Sequence, residues 1–584
     1  MKRSCLLLFC CLLSAWTGYA REIPRERAAL LAAEVFRSAR PASVSGPVGE
    51  PRLVKESECT YIFENEGGGY AIVSADDVAA PVLGYSLEGR FPVDDVPVNL
   101  QSVLDWYDRV IAFARERGWE SASSERTVGT SDREVRLQTA RWGQGSPFND
   151  LSPVIDGKKC PSGCVATAEA IILKYHSYPE HGTGVLPGYD FGWDNAAGQY
   201  KYHIDGYALG HTYDWNNMPD NARNCTEYQA AQIAQLLYDL AVMSGMEFTP
   251  EGSGAASTSP LLLVNYFGYD PSIRFYDRSF FSTQQWEQMI RDEIDAGRPV
   301  FHCGFSEDGG HAFVMDGYKG RYFSINYGWS GGSAWYLLSP IEGHDDELTE
   351  FTEWQDMVCH IQPDAGGQPF INLVVPDEFL PFRWNFEEQS VWGGWFWLWD
   401  YSVKPGVVEL AYGLFDRDGR FKERVSEAVL LNLEVDYMPE VTITFPDRIE
   451  DGDCILLAQH EADAWTPLLQ TRRSYIRFDR SRKLPQMVAI GHSFGTPDHA
   501  STTGKPMIFF EMYKDVWWSL SSEEDGRVLF DSALEIDPSS PFSVSAYLVD
   551  EETGLARFEC TLPEGNYRMT LRNFDETLTF TFQI

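Results

Sequence analysis

Residues 160–175 read CPSGCVATAEAIILKY, and the fold of the chain turns on how this stretch is taken. Pro161 and Gly163 bar an early helical start, whereas the residues from Cys164 onward are strong helix formers. Ala168, Ile171, Ile172 and Tyr175 recur at helical spacing, so the pattern predicts a helix that opens at Cys164. Unpaired N–H groups and the positive end of the helix dipole would then favour a thiolate, the form that attacks carbonyl carbon. A buried cysteine acting as a small apolar filler is the competing reading of these residues alone.

Around this stretch lies a chain of 584 residues, too long for one hydrophobic core and of a length that suits about three or four domains. Its composition, 44% hydrophobic and 14% aromatic, excludes wholesale disorder. The 47 basic residues are outnumbered by 86 acidic ones, giving a net charge of −39. Such a surface repels nucleic acid and anionic membranes, so neither polymer is an expected partner.

The N-terminus carries Lys2 and Arg3, an apolar run from Leu6 to Leu13, and Gly18-Tyr19-Ala20 ahead of Arg21. That is the layout of a cleaved export signal over 1–20, and the run is too short to span a bilayer. The membrane would serve as an export route only, with the product secreted, at the cell surface or periplasmic. Eight cysteines lie beyond the signal, scattered rather than densely spaced, and show neither a disulfide framework nor paired zinc ligands. No metal or other cofactor is expected.

Residues 21–120 read as a small α+β unit. Ala28, Leu31, Ala32 and Val35 mark one helical face, and Leu100, Val103, Leu104, Tyr107 and Ile111 a second. Thr60–Phe63 and Tyr70–Ala75 read as strands about a glycine turn. The polar, aperiodic run at 121–135 suits a linker that proteases cut. A compact unit ahead of a cleavable linker and a reactive-cysteine segment suggests a zymogen.

The chemistry falls in 136–363. Gln144, in RWGQGSPFN, has an amide able to donate to a developing oxyanion. Thr226 is a fair N-cap, and Glu251–Thr258 forms a glycine-serine loop that could border a cleft or be an ordinary loop. A cysteine nucleophile needs a base, and that base an orienting acceptor. His311 follows Cys164 by 147 residues, within the roughly 130–150 of papain-like enzymes. A hairpin turning at Gly317–Gly320 would set His311 opposite Asn326, whose carboxamide oxygen could accept one imidazole N–H. A register slip of one residue would send Asn326 to the other face.

The segments WGQGSPFN, GCVATAEAIILKYHSYP, YDWNNMP, GGHAFVMDGY and INYGWSGGSAWYLLS, in that order, resemble the streptopain family of papain-like cysteine peptidases. The resemblance implies a papain-like α+β catalytic domain preceded by an inhibitory pro-domain, with Cys164 as nucleophile, His311 as general base and acid, Gln144 as oxyanion-hole donor and Asn326 beside the histidine. Trp329 matches the second aromatic of the family's N-W-G-W motif, whereas Tyr327 stands where its first tryptophan would be. The same resemblance puts Trp329, Tyr327, Ser253, Gly254 and Gly310 along the substrate. It makes protein or peptide chains the substrates and the pro-domain an intramolecular inhibitor.

Beyond residue 363 the sequence alternates apolar and polar residues with many aromatics and turn signals, as two Ig-like β-sandwich modules over 364–484 and 485–584 would. Val488–Thr496 contains G-x-S-x-G around Ser493, but the prolines and turn formers after it leave no helix for a nucleophile elbow. The expected protein is an exported cysteine endopeptidase made as a zymogen and working through a thioester. The competing classes are a catalytically silent adhesin or carbohydrate-binding protein and a papain-like peptidoglycan amidase, which would share the same triad.

Overall fold

A computed structural model describes residues 21–38, 49–93, 96–120, 133–195, 198–306, 309–341 and 355–375, and from 376 to 583 a series of strands with some of their turns. The export signal, nearly all of the 121–135 linker, Leu484 at the module boundary and Ser493 lie outside the described residues. Two compact units divide the chain, Met1–Gln368 and Pro369–Ile584.

In the first unit, helix α1 (Arg25–Ser38) buries Ala28, Leu31, Ala32 and Val35, the face its spacing predicts. Strands β1 (Arg52–Glu56), β2 (Thr60–Glu64), β3 (Tyr70–Ser74) and β4 (Val82–Ser86) form an antiparallel meander, and α2 spans Val98–Glu116. After β5 (Glu134–Arg136) come α3 (Cys164–His176), α4 (Glu227–Met243), β6 (Arg274–Asp277) and α5 (Thr283–Asp295). Capping boxes open α4 at Thr226 and α5 at Ser282, each hydroxyl accepting an N–H that the first turn leaves unpaired. Strands β7 (Val300–Ser306), β8 (Gly309–Lys319), β9 (Tyr322–Asn326), β10 (Ala334–Leu337) and β11 (Gln355–Cys359) complete the unit.

These strands make one mixed-origin sheet in the order β1-β2-β3-β4-β10-β9-β8-β7-β11-β6, with β5 on β8. The join is β4 against β10, where Tyr85 faces Trp335 and Gly84 faces Tyr336. Gly84 is required there, since a Cβ would lie 2.8 Å from the Tyr336 ring and 2.9 Å from the Trp335 carbonyl oxygen. A single apolar core runs through the join, from Leu31, Ile72 and Leu104 to Phe323, Trp335 and Leu337. The N-terminal residues are therefore packed into the central segment as a continuation of its sheet.

The β8–β9 hairpin corrects the expected register. Lys319 pairs with Tyr322 across a tight turn at Gly320-Arg321, where Gly320 has φ +55°. A β-bulge between Met315 and Gly317 then takes back one residue of the shift that this turn makes, so Asn326 pairs with Val314 and not with His311. His311 instead faces Gly304 of β7.

In the second unit Val407–Phe415 is the centre of a six-stranded antiparallel sheet with Cys454–Glu461 beside it. Leu410, Tyr412, Leu414, Ile455 and Leu457 bury one face of it. Further along, Pro506–Tyr513 and Leu555–Thr561 belong to one four-stranded sheet, and Trp517–Ser522 and Asn566–Arg572 to another.

Candidate active site

Cys164 is the first residue of α3, as its sequence predicts. The turn before it depends on Gly163, whose φ of +89° is open only to glycine at little cost. A Cβ at Gly163 would also meet Met246 Sδ at 2.5 Å and the Ser253 carbonyl at 3.1 Å. The glycine-serine loop thus packs directly on the turn that delivers the thiol, and Ser253 Oγ donates to the Pro161 carbonyl at 2.8 Å. Gly254 is tied back to Glu247 by a pair of main-chain hydrogen bonds. Gln144 is held on the same turn, its main-chain carbonyl accepting from the Ser162 N–H at 3.0 Å.

The α3 helix packs on β8. There the main chain of Ala312, the residue after His311, reaches the Cys164 sulfur as a hydrogen-bonding neighbour. Burial nonetheless pushes the thiol above its ordinary range, because crowding by protein outweighs the N–H groups of Ala312, Val165 and Cys164 itself.

The His311 imidazole is also kept neutral. Burial pulls it down to about 4, against a partial rise from the Tyr327 carbonyl, which lies 3.1 Å from Nε2. The ring sits among aromatics, 5.7 Å from Trp329 and 6.5 Å from Phe313 between centroids. Its hydrogen bond therefore goes to Tyr327 rather than to Cys164 or Asn326. Gly310 is exposed beside it.

Asn326 has a different set of partners from the one its motif suggests. Its Nδ2 donates to Thr139 Oγ1 at 3.0 Å and to the Ala140 carbonyl at 2.9 Å, while Oδ1 accepts the Gly328 N–H at 3.2 Å. Tyr327 and Trp329 stack at 4.8 Å with 12° between planes, forming the aromatic wall over the imidazole. The loop that carries them is fastened to α3, since a Cβ at Gly328 would lie 2.9 Å from Thr167 Cγ2. It is fastened to the Gln144 segment as well, through the Ser330 N–H and the Trp142 carbonyl at 2.9 Å.

Gln144, Cys164 and Ser253 are thus gathered on one turn, with the His311 strand and the Tyr327–Trp329 loop packed against its helix. A thiol, an imidazole and a carboxamide-bearing loop converging in this way can support acyl transfer, once the imidazole leaves its carbonyl partner. Sequence reasoning passed over Thr139 and Asp316, which support Asn326, and over Tyr70 and Tyr336, whose hydroxyls meet across the β4–β10 join at 2.6 Å. An aspartate inside the apolar run HAFVMDGY was the available signal for one of them.

Cys160 is fully buried, with its carbonyl bonded to Asn149 Nδ2. His302 is another buried imidazole, near Trp286 Nε1 and stacked on Phe313, and burial pulls it down to about 3. Among the described residues Cys59, Cys160, Cys164, Cys225, Cys303, Cys359 and Cys454 are free thiols. Among them, too, no helix is long and apolar enough to cross a membrane.

Residues 142–336 match the family described as the peptidase C10 family, and residues 20–111 match the one described as Spi protease inhibitor. Streptopain of Streptococcus pyogenes is 32% identical over 324 residues, which cover 52% of this chain and 80% of streptopain. The thiol protease/hemagglutinin PrtT of Porphyromonas gingivalis is 30% identical over 393 residues, covering 62% of this chain. The chain spans 43% of the length of that relative. Among solved structures, a fragment of Prevotella intermedia prointerpain A shares 31% identity, with coverage of 54% of this chain and 99% of that one and a TM-score of 0.45.

Proposed function

The chain belongs to the peptidase C10 family, and on that premise we propose that it is an exported cysteine endopeptidase made as a zymogen. The observation that carries the reading is the meeting of the Cys164 sulfur, at the first residue of α3, with the main chain of the residue next to His311.

In this reading His311 gives up the Tyr327 carbonyl and takes the Cys164 proton. The thiolate attacks the scissile carbonyl, and the oxyanion is received by the Gln144 amide and the Cys164 N–H. His311 then protonates the leaving amine, and water hydrolyses the thioester to release the acid and the enzyme. Asn326 orients the imidazole. Trp329 and Tyr327 roof the site, and Ser253, Gly254 and Gly310 border the peptide. Protein chains are the substrates.

We assign residues 21–120 to an inhibitory pro-domain, 121–135 to the linker cut on maturation and 136–363 to the catalytic domain. The shared sheet and core support a pro-domain that holds the enzyme silent from within, with both reacting groups un-ionised. Residues 364–484 and 485–584 are read as two β-sandwich modules, a division that the antiparallel sheets of the second unit support. Residues 1–20 are read as the export signal.

Cys164→Ala tests the mechanism. Expressed in its own cell, the variant should accumulate as uncut precursor and leave denatured protein intact when added to it. Undiminished hydrolysis by that variant would sink the reading.

A further inference from the structure

Asp316 is 1% exposed and occupies the β-bulge of β8. Three hydroxyls turn toward its carboxylate: Ser324 Oγ to Oδ1 at 2.5 Å, and Thr139 Oγ1 and Ser333 Oγ to Oδ2 at 2.6 and 2.7 Å. A carboxylate accepts and does not donate, so each hydroxyl must spend its single proton on it. Thr139 is then left only lone pairs with which to meet Asn326, and it accepts from Nδ2. The Ala140 carbonyl, which also only accepts, takes the other Nδ2 proton.

With both amide protons committed, the Asn326 carboxamide has one orientation. Its Oδ1 carries two lone pairs, and the Gly328 N–H uses one. Gly328 follows Tyr327, whose carbonyl lies 3.1 Å from His311 Nε2, so the fixed carboxamide holds the start of the loop that walls the imidazole.

From this chain of contacts the geometry points to Asp316 as a positioning residue, which acts through Thr139 to lock the Asn326 carboxamide and, through the Gly328 N–H that it accepts, the Tyr327–Trp329 loop that walls the His311 imidazole. The inference rests on the peptidase reading of the site. Its particular content is that Asp316 and Thr139, whose hydrogen bonds among the described residues go to neither thiol nor imidazole, set how well the base is oriented. Removing the Thr139 hydroxyl frees one Nδ2 proton and lets the amide rock. Removing the carboxylate lets Thr139 donate, which sets proton against proton at Nδ2.

Four forms of the full chain test this after maturation: wild type, Thr139→Val, Thr139→Ser and Asp316→Asn, with the Asp316→Asn/Thr139→Val double variant beside them. On a denatured fluorogenic protein, Thr139→Val and Asp316→Asn should each lose about tenfold in kcat with KM unchanged, the loss expected of an interaction felt in the transition state. Thr139→Ser should restore most of that loss. The double variant should fall no further than the lower single variant, because both changes break the same chain. Wild-type kcat in Thr139→Val, or losses that multiply in the double variant, would overturn the proposal.

Alkylation of Cys164 by iodoacetamide at about pH 6, where an ordinary thiol is mostly silent, reads the thiol–imidazole pair without turnover. It should be fast in wild type and Thr139→Ser and slow in the other variants. Equal rates in all forms would overturn the positioning role. If wild type alkylates fast yet hydrolyses no protein, the peptidase reading alone fails. If Asp316→Asn does not fold, the Thr139→Val and Thr139→Ser pair decides the question.

Discussion

The hydroxyls of Tyr70 and Tyr336 lie 2.6 Å apart, 266 residues distant in sequence and on opposite sides of the β4–β10 join. Both rings are buried, and burial pushes the Tyr70 phenol up to about 12, so neither ionises near neutrality. Tyr107 adds a second tie, donating to the Leu337 carbonyl at 2.8 Å. The N-terminal unit is thus held by dry, neutral hydrogen bonds set within an apolar core.

That setting ranks two contacts across the join. Tyr70→Phe leaves the Tyr336 hydroxyl buried without its partner, a loss of about 1–3 kcal/mol. The Arg141–Glu88 ion pair, at 2.9 Å with both side chains well exposed, is worth about 0–1 kcal/mol. Precursor processing followed on a gel should therefore quicken about tenfold in Tyr70→Phe and hardly change in Glu88→Ala. The reverse order would mean that exposed charge, not the buried tyrosines, holds the unit in place.

The part of the site legible in sequence was the part encoded locally. Pro161, Gly163 and the apolar spacing after Cys164 fix where α3 begins, and Thr226 announces the helix that follows it. The partner of Asn326 was not legible. It depends on a two-residue turn at Gly320 and on the bulge at Asp316, and together they move the ladder three residues from a symmetric four-residue hairpin. The upward push on the thiol was not legible either, since it comes from burial, which outweighs the N–H groups of the helix start and of distant Ala312 and which local spacing does not encode.

His311 gives a prediction with a definite sign. Its folded value of about 4 lies below the ordinary 6.5. Between those limits the unfolded chain binds the extra proton, so this imidazole lowers stability as pH falls from about 6.5 toward about 4. Buried Glu169, pushed up to about 8, and Asp356, up to about 6, act with the opposite sign, so total stability is the wrong observable. The difference between Cys164→Ala precursor with and without His311→Gln isolates the effect. Relative to its parent, the His311→Gln form should gain in Tm on going from pH 7.5 to pH 4.5. A difference that does not move with pH would show that the imidazole is already solvated.

Gly163 and Gly157 separate backbone strain from steric conflict. Both have positive φ, +89° and +76°, so alanine is strained at either, at a cost of about 1–3 kcal/mol. Only at Gly163 would the new Cβ strike neighbours, the Met246 thioether and the Ser253 carbonyl, whereas at Gly157 none of the described residues lies within 4 Å. Gly157→Ala should lower Tm modestly and leave iodoacetamide alkylation of Cys164 as it was. Gly163→Ala should lower Tm further and slow that alkylation at least tenfold, because relief of the clash shifts the first turn of α3. Equal effects on alkylation would remove the Ser253 loop from any part in setting the thiol.

Tyr327 brings a hydroxyl into the aromatic wall where the family motif carries tryptophan. Its ring meets Tyr336 edge-on at 5.6 Å and stacks on Trp329, yet among the described residues the buried hydroxyl has no hydrogen-bond partner by distance and angle. Proximity of the Tyr336 hydroxyl only partly eases it, and burial pushes the phenol well above its ordinary range. A polar group kept in such surroundings without a partner costs about 1–3 kcal/mol. The carbonyl that receives His311 belongs to the main chain, so the ring oxygen is not needed for it. Tyr327→Phe should therefore hold or raise the Tm of the precursor, with kcat of the mature form within about twofold of wild type. A drop in Tm of several degrees would show that the hydroxyl is bonded after all, with Tyr336 as its partner. The link from the pro-domain would then run from Tyr70 through Tyr336 to the wall above His311.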